Sequence, residues 1–442
     1  MSQAAPGRGR VFIDGYNLAI SQGTGVATYA RNLSHALHGI GKQVGVLYGK
    51  RAGKARDPLA REVGFFDPPK GVLPLWLADI FRAIKLWNRP FGLNAWTVPV
   101  SGAVINQGMP YYDEIWNVSD MFQLAQVQHE LIGRMLRVTI PGGAPDVMHW
   151  TYPFPIKVRG ALNIYTMHDL VPMRLPATTL DNKRRYLKIA RAIAAEADHI
   201  VTVSEHSRKD IIDLLHVPPE RVTNTYQAVD VPITLRSKPM NLVRDEIAGS
   251  FGLTAGSYFL FFGAIEPKKN IGRLIEAYLA SGVAGPLVIV GKKAWKSEGE
   301  LRLLFNDHMQ YLQTEGAYTY TRNRVVHLEY APFPLLVSLI RGARAVMFPS
   351  LYEGFGLPVL EAMQLGAPVM TSNTSSLPEL VGDAALTVDP YDVSAMSQAI
   401  RALDTNSDLR NRLAARGPAQ AELFSPARYQ ERLRGLYARI SP

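Results

Sequence analysis

The sequence predicts an α/β protein made of two doubly wound domains in tandem, each a parallel sheet with helices on both faces. Continuous apolar runs of strand length alternate with amphipathic helical runs, which is the pattern of parallel sheets that are buried on both sides. These runs form two series, separated by a stretch rich in proline, glycine and charge at about 227–257. The chain has 442 residues, whereas a single core rarely organises more than about 250–300.

The predicted strands define the expected domains. The first series lies at residues 10–15, 43–49, 145–150, 161–169 and 198–205, and the second at 257–265, 286–291, 323–329 and 343–350. We therefore expect an N-terminal domain at 1–235, with a variable insertion at about 51–140, and a C-terminal domain at 250–424. Residues 425–442 hold a basic amphipathic helix, which we expect to pack back on the N-terminal domain.

The composition narrows the class of protein. The formal net charge of +10 suggests an anionic partner, such as a phosphorylated substrate or an anionic membrane surface. Nucleic acid is not expected, because basic tails, zinc-finger spacings and RNA-binding aromatic motifs are missing. The chain has no cysteine, which excludes disulfides, zinc–cysteine sites and thiol catalysis. No apolar run reaches the ~18–20 residues of a membrane span, and "MSQAAPGRGRVFIDG" lacks a signal peptide's apolar region, so we expect a cytoplasmic protein.

One stretch, "PLWLADIFRAIKLWNRPFG", departs from the alternating pattern. It combines aromatic residues with cations in a helical window, notably Trp76, Phe81, Arg82, Lys85 and Trp87. One interpretation is a helix packed on its own domain. The other is an interfacial helix that rests on an anionic membrane and holds the protein at the inner face of the cell membrane, because tryptophans at an apolar–polar border suit that environment.

Ligands of open parallel sheets bind beyond the carboxyl ends of the strands, so residues that follow a strand are the candidate site residues. Gly23 and Gly25 follow the first strand and precede a helix, where glycine lets backbone amides approach a phosphate; the same glycines also suit a tight turn. His168 and Asp169 end another strand. They point different ways on an extended chain, and no third ligand has a suitable spacing. We therefore expect a substrate-orienting role, or a structural turn, and not a metal site.

Two lysines, Lys268 and Lys269, follow the strand that ends at about Gly263 and precede a helix that we expect to begin near Ile271. Cations at a helix N-terminus are unfavourable next to its positive dipole end. The conflict disappears if an anion binds there, because the lysines and the free amides then face it together. The alternative is a pair of solvated loop lysines.

The stretch "PSLYEGFGLPVLEAMQLG" places two carboxylates around a glycine-rich turn. A proline and a glycine bound a predicted helix at 358–365, so that Glu353 lies in the loop and Glu361 in the first helical turn. Amides near Gly354 and Gly356 would contact a diphosphate, and the two carboxylates would accept hydrogen bonds from the vicinal diols of a ribose and a hexose. For Glu361 alone, the alternative is a favourable place near the helix dipole.

These residues carry a resemblance to a known family. "PSLYEGFGLPVLEAMQLGAPVMTSNTSSLPELVGDAALTVDP" resembles the signature of retaining family 4 glycosyltransferases, which have the GT-B fold, and Glu353 and Glu361 form its E-x7-E motif. "GAIEPKKN", "HD" and "VSEHSRKDI" are similar to further motifs of the family, in the expected order. The resemblance is dense over about 257–395, thinner over 160–230 and 11–35, and nearly absent over 50–140.

The resemblance implies two Rossmann-like domains that face a cleft and bind a nucleoside diphosphate sugar, without a cofactor or an essential metal. Glu361 would bind the ribose, Glu353 the sugar, and Lys269 the phosphate, while His168 would meet the transferred sugar. The donor-binding residues that it implies are Gly23, Gly25, Gly263, Lys268, Lys269, Glu353, Gly354, Phe355, Gly356, Leu357 and Glu361. The candidate catalytic residues are His168, Asp169, Lys269 and Glu353. Ala264 stands where many relatives have an arginine, and we expect Lys268 to supply that missing cation.

The resemblance also implies the activity, which is transfer of a hexose with retention at the anomeric carbon. The subgroup character of "EPKKN" and "SSLPELVGDAAL" favours α-mannosyl transfer from GDP-mannose, with UDP-glucose as the alternative donor. The expected acceptor is a lipid-linked or surface polysaccharide. Two other classes stay open: a non-catalytic sugar-nucleotide or glycan-binding partner subunit, and a phosphorylase or epimerase on a similar fold.

Overall fold

The computed structural model of the chain describes residues 9–19, 25–52, 55–67, 92–101, 104, 109–180, 182–294, 310–315 and 318–440. The chain forms two compact units. The first comprises Met1–Leu170, Asn182–Ala228 and Pro426–Pro442, and the second comprises Val171–Asp181 and Val229–Ser425.

The described residues form strands and helices in alternation along most of the chain. The strands are β1 (Arg10–Asp14), β2 (Gln43–Tyr48), β3 (Leu93–Asn94), β4 (Trp96–Val98), β5 (Glu114–Asn117), β6 (Leu136–Thr139), β7 (Val147–Trp150), β8 (Ile156–Val158), β9 (Leu162–Thr166), β10 (His199–Thr202), β11 (Val222–Asn224), β12 (Phe259–Phe262), β13 (Leu287–Val290), β14 (Gln310–Glu315), β15 (Tyr318–Asn323), β16 (Val325–Leu328), β17 (Ala345–Phe348), β18 (Val369–Ser372) and β19 (Leu386–Val388). The helices are α1 (Gly25–Gly39), α2 (Pro58–Phe66), α3 (Met121–Ile132), α4 (Val171–Arg174), α5 (Lys183–Glu196), α6 (Glu205–Leu215), α7 (Ile233–Arg236), α8 (Met240–Phe251), α9 (Ile271–Ser281), α10 (Phe333–Gly342), α11 (Leu357–Gln364), α12 (Leu377–Val381), α13 (Val393–Thr405), α14 (Ser407–Glu422) and α15 (Pro426–Ile440). Short 3-10 turns lie at Asn17–Ala19, Pro176–Thr178, Pro219–Arg221 and Pro267–Lys269.

The first unit is built on an eight-stranded sheet whose order, within the described residues, is β11-β10-β9-β7-β1-β2-β5-β4. Its neighbouring strands pair in parallel, except for β4 with β5. β1 pairs with β2 on one side and with β7 on the other, so the strand order reverses next to β1. A smaller parallel sheet has the order β3-β6-β8.

The C-terminal helix α15 belongs to the first unit, where it packs along α1. Tyr429 and Tyr437 of this helix are almost fully buried. The Tyr437 hydroxyl lies 2.7 Å from Nδ1 of His149 in β7, and Nε2 of the same ring lies 2.8 Å from the Thr166 hydroxyl in β9. Burial lowers the pKa of His149 to about 3, so its neutral ring joins the helix to the sheet at ordinary pH.

The second unit is built on a six-stranded parallel sheet, whose order within the described residues is β16-β13-β12-β17-β18-β19. Every residue of β12, β13, β17 and β18 is buried, as expected for parallel strands with helices on both faces. β14 and β15 form an antiparallel hairpin. The strand order reverses between β12 and β17, and this reversal positions the candidate site.

The fold class predicted from the sequence is confirmed, and each of the nine predicted strands is present with shorter ends. The predicted dividing stretch at 227–257 contains the division between the units, but most of it already belongs to the second unit. It contains α8, whose Val243 and Ile247 are fully buried. A β-carbon on Gly342 of α10 would stand 2.2 Å from Cδ1 of Ile247, so the two helices touch closely. The second unit therefore begins at Val229 and not at 250. Ten further strands of the described residues were not predicted, among them the fully buried β18 and the short β19, which has one buried residue.

Asn270 joins three loops of the second unit. Its backbone is left-handed, with φ at 62°, and its amide nitrogen donates to the carbonyls of Pro349 and Pro390 at 3.1 and 2.7 Å. Next to it, the Leu351 amide donates to the Lys268 carbonyl at 2.8 Å. These bonds fix the loops that follow β12 and β17 against each other.

Replacing Asn270 should therefore destabilise the second unit. Asn270→Ala loses two buried hydrogen bonds and puts a residue without asparagine's tolerance into the left-handed region, so we expect a loss of about 2–4 kcal/mol in the free energy of unfolding. Urea unfolding measures it. Asn270→Gly is the matched control, because glycine suits the left-handed backbone but also loses both bonds. Its free energy of unfolding should fall between those of the parent chain and of Asn270→Ala. An alanine variant as stable as the parent chain contradicts this role.

Candidate functional site

The loops that follow β12 and β17 lie side by side at the carboxyl edge of the second unit's sheet. β12 pairs with β13 on one side and with β17 on the other, so the strand order reverses between them. Open parallel sheets bind their ligands in the crevice at this reversal. Lys268 and Lys269 lie in the loop after β12, and Glu353 lies in the loop after β17. The fold thus joins side chains that are 84 positions apart in the sequence.

The centre of this site is an ion pair between Lys269 and Glu353. The Lys269 Nζ lies 2.5 Å from Oε1 of Glu353, and the two side chains are only 11% and 9% exposed. The ammonium also lies 4.8 Å from the centre of the Phe348 ring. Lys268 Nζ lies 3.9 Å from Oε2 of Glu353 and 3.6 Å from Glu266, which makes the four-residue cluster neutral overall.

The lysines decide the protonation state of Glu353. Burial alone would raise the pKa of this carboxyl, but the charges of Lys269 and Lys268, with the hydrogen bond from Lys269, bring it below the ordinary value. Glu353 is therefore ionised at neutral pH. The site offers a carboxylate and two ammonium groups with restricted access to water, where charges interact more strongly than in bulk solvent.

Two serines that were not predicted hold the Glu353 loop in place. The Glu353 amide donates to the Ser375 hydroxyl at 3.0 Å, and the Ser376 hydroxyl donates to the Glu353 carbonyl at 3.0 Å. The Ser376 hydroxyl also makes a short hydrogen bond to the carbonyl of Phe355. Ser375 has a left-handed backbone, with φ at 56°. Serine is common in loops, so residue type alone did not single these two out.

The glycines of the site allow close backbone packing. Gly356 has a φ of 140°, and a β-carbon there would stand 2.9 Å from Cδ2 of Leu377. Gly263 ends β12 with the same φ, and its carbonyl would stand 1.9 Å from a β-carbon on Gly291. Leu357 begins α11, whose N-terminus has no side-chain cap. Gly354 and Phe355 are buried in the same loop, so the predicted glycine-rich turn does lead into the helix.

Glu361 lies in the second turn of α11, and its environment contrasts with that of Glu353. Among the residues that the structure describes, its carboxyl has no hydrogen-bond or ion-pair partner. The side chain is partly buried, and desolvation raises its pKa to about 7. A half-ionised carboxyl without a partner can accept hydrogen bonds from a ligand's hydroxyl groups.

In the first unit, His168 is held in one tautomer. Its Nε2 lies 2.9 Å from the Thr151 carbonyl, which can only accept, so Nε2 carries the proton and Nδ1 is left as an acceptor. The Tyr29 ring stands edge-on, 4.8 Å away. Burial lowers the pKa of His168, which keeps the ring neutral. The Thr151 amide makes a short hydrogen bond to Asp14, a fully buried residue that the sequence pattern did not single out.

Only some of the other predicted site residues lie in the described part of the chain. Gly25 is exposed and begins α1, whereas Gly23 lies outside the described residues. The Asp169 carbonyl accepts a hydrogen bond from the Tyr186 hydroxyl at 2.9 Å. The predicted membrane residues, 76, 81, 82, 85 and 87, all lie outside the described residues. In the described part of the chain, no three histidine or acidic side chains gather to hold a metal ion, and no helix has the length and apolarity to cross a bilayer.

Models of known protein families match residues in both units. The family model described as "Glycosyl transferases group 1" matches residues 243–420, and the model "Glycosyltransferase Family 4" matches residues 105–231. The chain belongs to the family 4 glycosyltransferases. The two matches cover most of the second unit and nearly half of the first, and they include the Lys269–Glu353 pair and His168.

Several curated relatives of this family 4 glycosyltransferase are named as mannosyltransferases. The O-antigen chain mannosyltransferase B of Escherichia coli is 35% identical over 267 residues, which is 59% of this chain and 66% of that protein. The O-antigen chain mannosyltransferase RfbU of Salmonella typhimurium is 25% identical over 249 residues, or 56% of this chain and 62% of that one. The chain thus spans just under two thirds of these relatives.

Solved structures share the fold over almost the whole chain. Sucrose-phosphate synthase from Thermosynechococcus elongatus superposes with a TM-score of 0.64 at 16% identity, covering 98% of this chain and 99% of that one. Anabaena HepE in complex with UDP and glucose has a TM-score of 0.63 at 13% identity, covering 98% and 100%. This confirms the GT-B fold class that the sequence predicted.

The raised pKa of Glu361 predicts a pH-dependent stability. The folded chain disfavours the ionised form, so stability falls as the pH rises from about 4.5 to about 7, and the full cost persists above 7. Glu361→Gln removes this cost and should stabilise the chain by about 1–3 kcal/mol at pH 8, with little change near pH 4.5. Urea unfolding of the variant and the parent at both pH values measures the difference. A variant that is less stable at pH 8 contradicts the assignment.

Proposed function

We propose that this chain is a retaining glycosyltransferase that moves an α-mannosyl group from GDP-mannose to a polysaccharide or lipid-linked glycan. The observation that carries the proposal is the buried Lys269–Glu353 pair at the strand-order reversal, with Lys268 3.9 Å from the same carboxylate. The choice of mannose is supported by relatives at 35% and 25% identity that are named O-antigen chain mannosyltransferases.

Each residue of the second unit takes a role that its chemistry suits. Lys268 and Lys269 turn from Glu353 towards the diphosphate, whose negative charge compensates both ammonium groups. Glu353, relieved of part of its pairing, accepts hydrogen bonds from the hydroxyls of the donor sugar. Glu361, which has no partner in the described residues, accepts from the ribose hydroxyls. The uncapped N-terminus of α11 adds a positive dipole end near the phosphates.

The reaction follows from these roles. The bond between the anomeric carbon and the diphosphate oxygen breaks, and a bond from the same carbon to the acceptor oxygen forms on the same face. The acceptor proton passes to an oxygen of the departing diphosphate. The developing negative charge is stabilised by lysines that already contact the bound diphosphate before its bond breaks, so the reaction itself needs no further rearrangement of these charges. His168 in the first unit offers its Nδ1 to a sugar hydroxyl.

A donor screen tests the identity of the sugar nucleotide. GDP-mannose, and not UDP-glucose, ADP-glucose or dTDP-glucose, should raise the melting temperature, because a ligand at a hundred times its Kd adds about 2.7 kcal/mol to stability. Stabilisation by UDP-glucose alone contradicts the mannosyl donor, and the absence of any effect contradicts donor binding. A chain that binds the donor but neither transfers nor hydrolyses it would be a non-catalytic partner subunit.

Removing the central cation should lower turnover. For Lys269→Ala we expect kcat to fall roughly 100–1000-fold, with a smaller change in KM, since the lysine acts mainly on charge that develops in the transition state. Lys238→Ala is the matched control: Lys238 makes a 2.8 Å ion pair with Glu246 in the same unit, and its loss should leave kcat unchanged. Unchanged turnover in a folded Lys269→Ala chain removes this residue from the mechanism.

A further inference from the structure

A second basic site lies within the first unit. It is a cavity of about 360 Å³, and its lining residues are Gly92, Gln128, Arg134, Met135, Arg137, Arg159 and Glu196. Three of these are arginines and one is an acid, and none is aromatic. None belongs to the site residues of the glycosyl transfer.

The small sheet β3-β6-β8 explains why the arginines converge. Arg137 in β6 pairs in register with Lys157 in β8, and Arg159 lies two residues beyond Lys157, so the three side chains share one face. On the other side of Arg137, Gly92 just before β3 has no side chain. A β-carbon at Gly92 would stand only 2.3 Å from the Arg137 carbonyl, so only glycine fits against β6 at this position.

Two of the three arginines of this cavity lack an acidic partner in the described part of the chain. Among the residues that the structure describes, Arg134 and Arg137 have no hydrogen-bond or ion-pair partner. The acid, Glu196, is already engaged: Lys157 Nζ donates to its carbonyl at 2.7 Å and lies 4.0 Å from its carboxylate. An anion in the cavity would give the guanidinium groups of Arg134 and Arg137 the acceptors that they lack.

We propose that this cavity binds a phosphoryl group, as a phosphate monoester or diester. The planar fork of arginine donates two parallel hydrogen bonds to phosphate oxygens, and more than one arginine can bind the same group. The lining has no aromatic side chain on which a nucleobase could stack, which distinguishes this site from a nucleotide pocket. Its volume is large enough for a phosphorylated glycerol or sugar.

The residues next to the cavity indicate which kind of molecule carries the phosphoryl group. Leu131 and Ile132 end α3, two residues before Arg134, and they are 67% and 62% exposed. Exposed apolar side chains next to arginines suit a phospholipid headgroup at a membrane surface. A soluble phosphorylated molecule presents the same group to the same arginines, so the test includes both sources.

Hydrogen–deuterium exchange of the full chain tests the site locally. We expect a phosphoryl ligand to protect the backbone at residues 133–139 and 156–160. The soluble probes are inorganic phosphate and glycerol phosphate, and the membrane probes are vesicles of phosphatidylglycerol or of phosphatidylcholine. The test variant is Arg134→Gln with Arg137→Gln. The matched control, Arg244→Gln with Arg412→Gln, removes the same charge from exposed positions of the second unit.

In the parent chain and the control, protection should appear at low salt, and the test variant should need at least about tenfold more ligand, as expected for losing charge-assisted hydrogen bonds. Protection by the soluble probes supports a soluble source. Protection by phosphatidylglycerol vesicles alone supports the lipid source. Equal protection in the test variant and the control, or no protection by any probe, overturns the proposal. Donor KM should be unchanged in both variants, which separates this result from the fate of the proposed function.

Discussion

The second unit's site depends on one interaction, the buried ion pair between Lys269 and Glu353. Taking two charges out of water is costly, and their mutual attraction at 2.5 Å, together with Lys268 at 3.9 Å from the same carboxylate, offsets it. If either partner were removed, the other would be a buried and uncompensated charge. The pair therefore holds the loops after β12 and β17 together. The Asn270 side chain also holds them, because its amide donates to backbone carbonyls.

The same constraint gives two glutamates of one motif different properties. Glu353 faces Lys269 and Lys268, so its pKa is depressed although it is buried. Glu361, eight residues later, is partly buried without a cation, so its pKa rises to about 7. One carboxylate is ionised at neutral pH and is bonded to the protein, whereas the other has no hydrogen-bond donor in the described part of the chain. This contrast arises from the neighbours and not from residue type, since both are glutamates.

The sequence predicted nine of the strands and the class of both domains, and it singled out Lys269, Glu353 and Glu361 as candidates, because apolar periodicity and glycine-rich turns are local signals. It did not predict that Lys269 and Glu353 pair, because this needs the order of strands in the sheet. The sequence did not indicate Ser375 and Ser376, because their hydroxyls hold the loop through hydrogen bonds to its backbone. Such bonds leave no pattern in residue type. The start of the second domain was predicted about 20 residues too late, because the prediction counted strands, and α8 precedes the first strand of that unit.

Strained backbone and unfavourable charge gather at the places where a ligand would compensate them. Asn270 and Ser375 are left-handed, and Gly356 and Gly263 adopt angles that other residues rarely reach, all around one crevice. Such conformations persist only where surrounding contacts determine them. In the first unit, Arg134 and Arg137 lack acids in the described part of the chain. In the first unit, an anion that binds Arg134 and Arg137 would supply the hydrogen-bond acceptors that these side chains lack, and it would stabilise the folded chain by mass action.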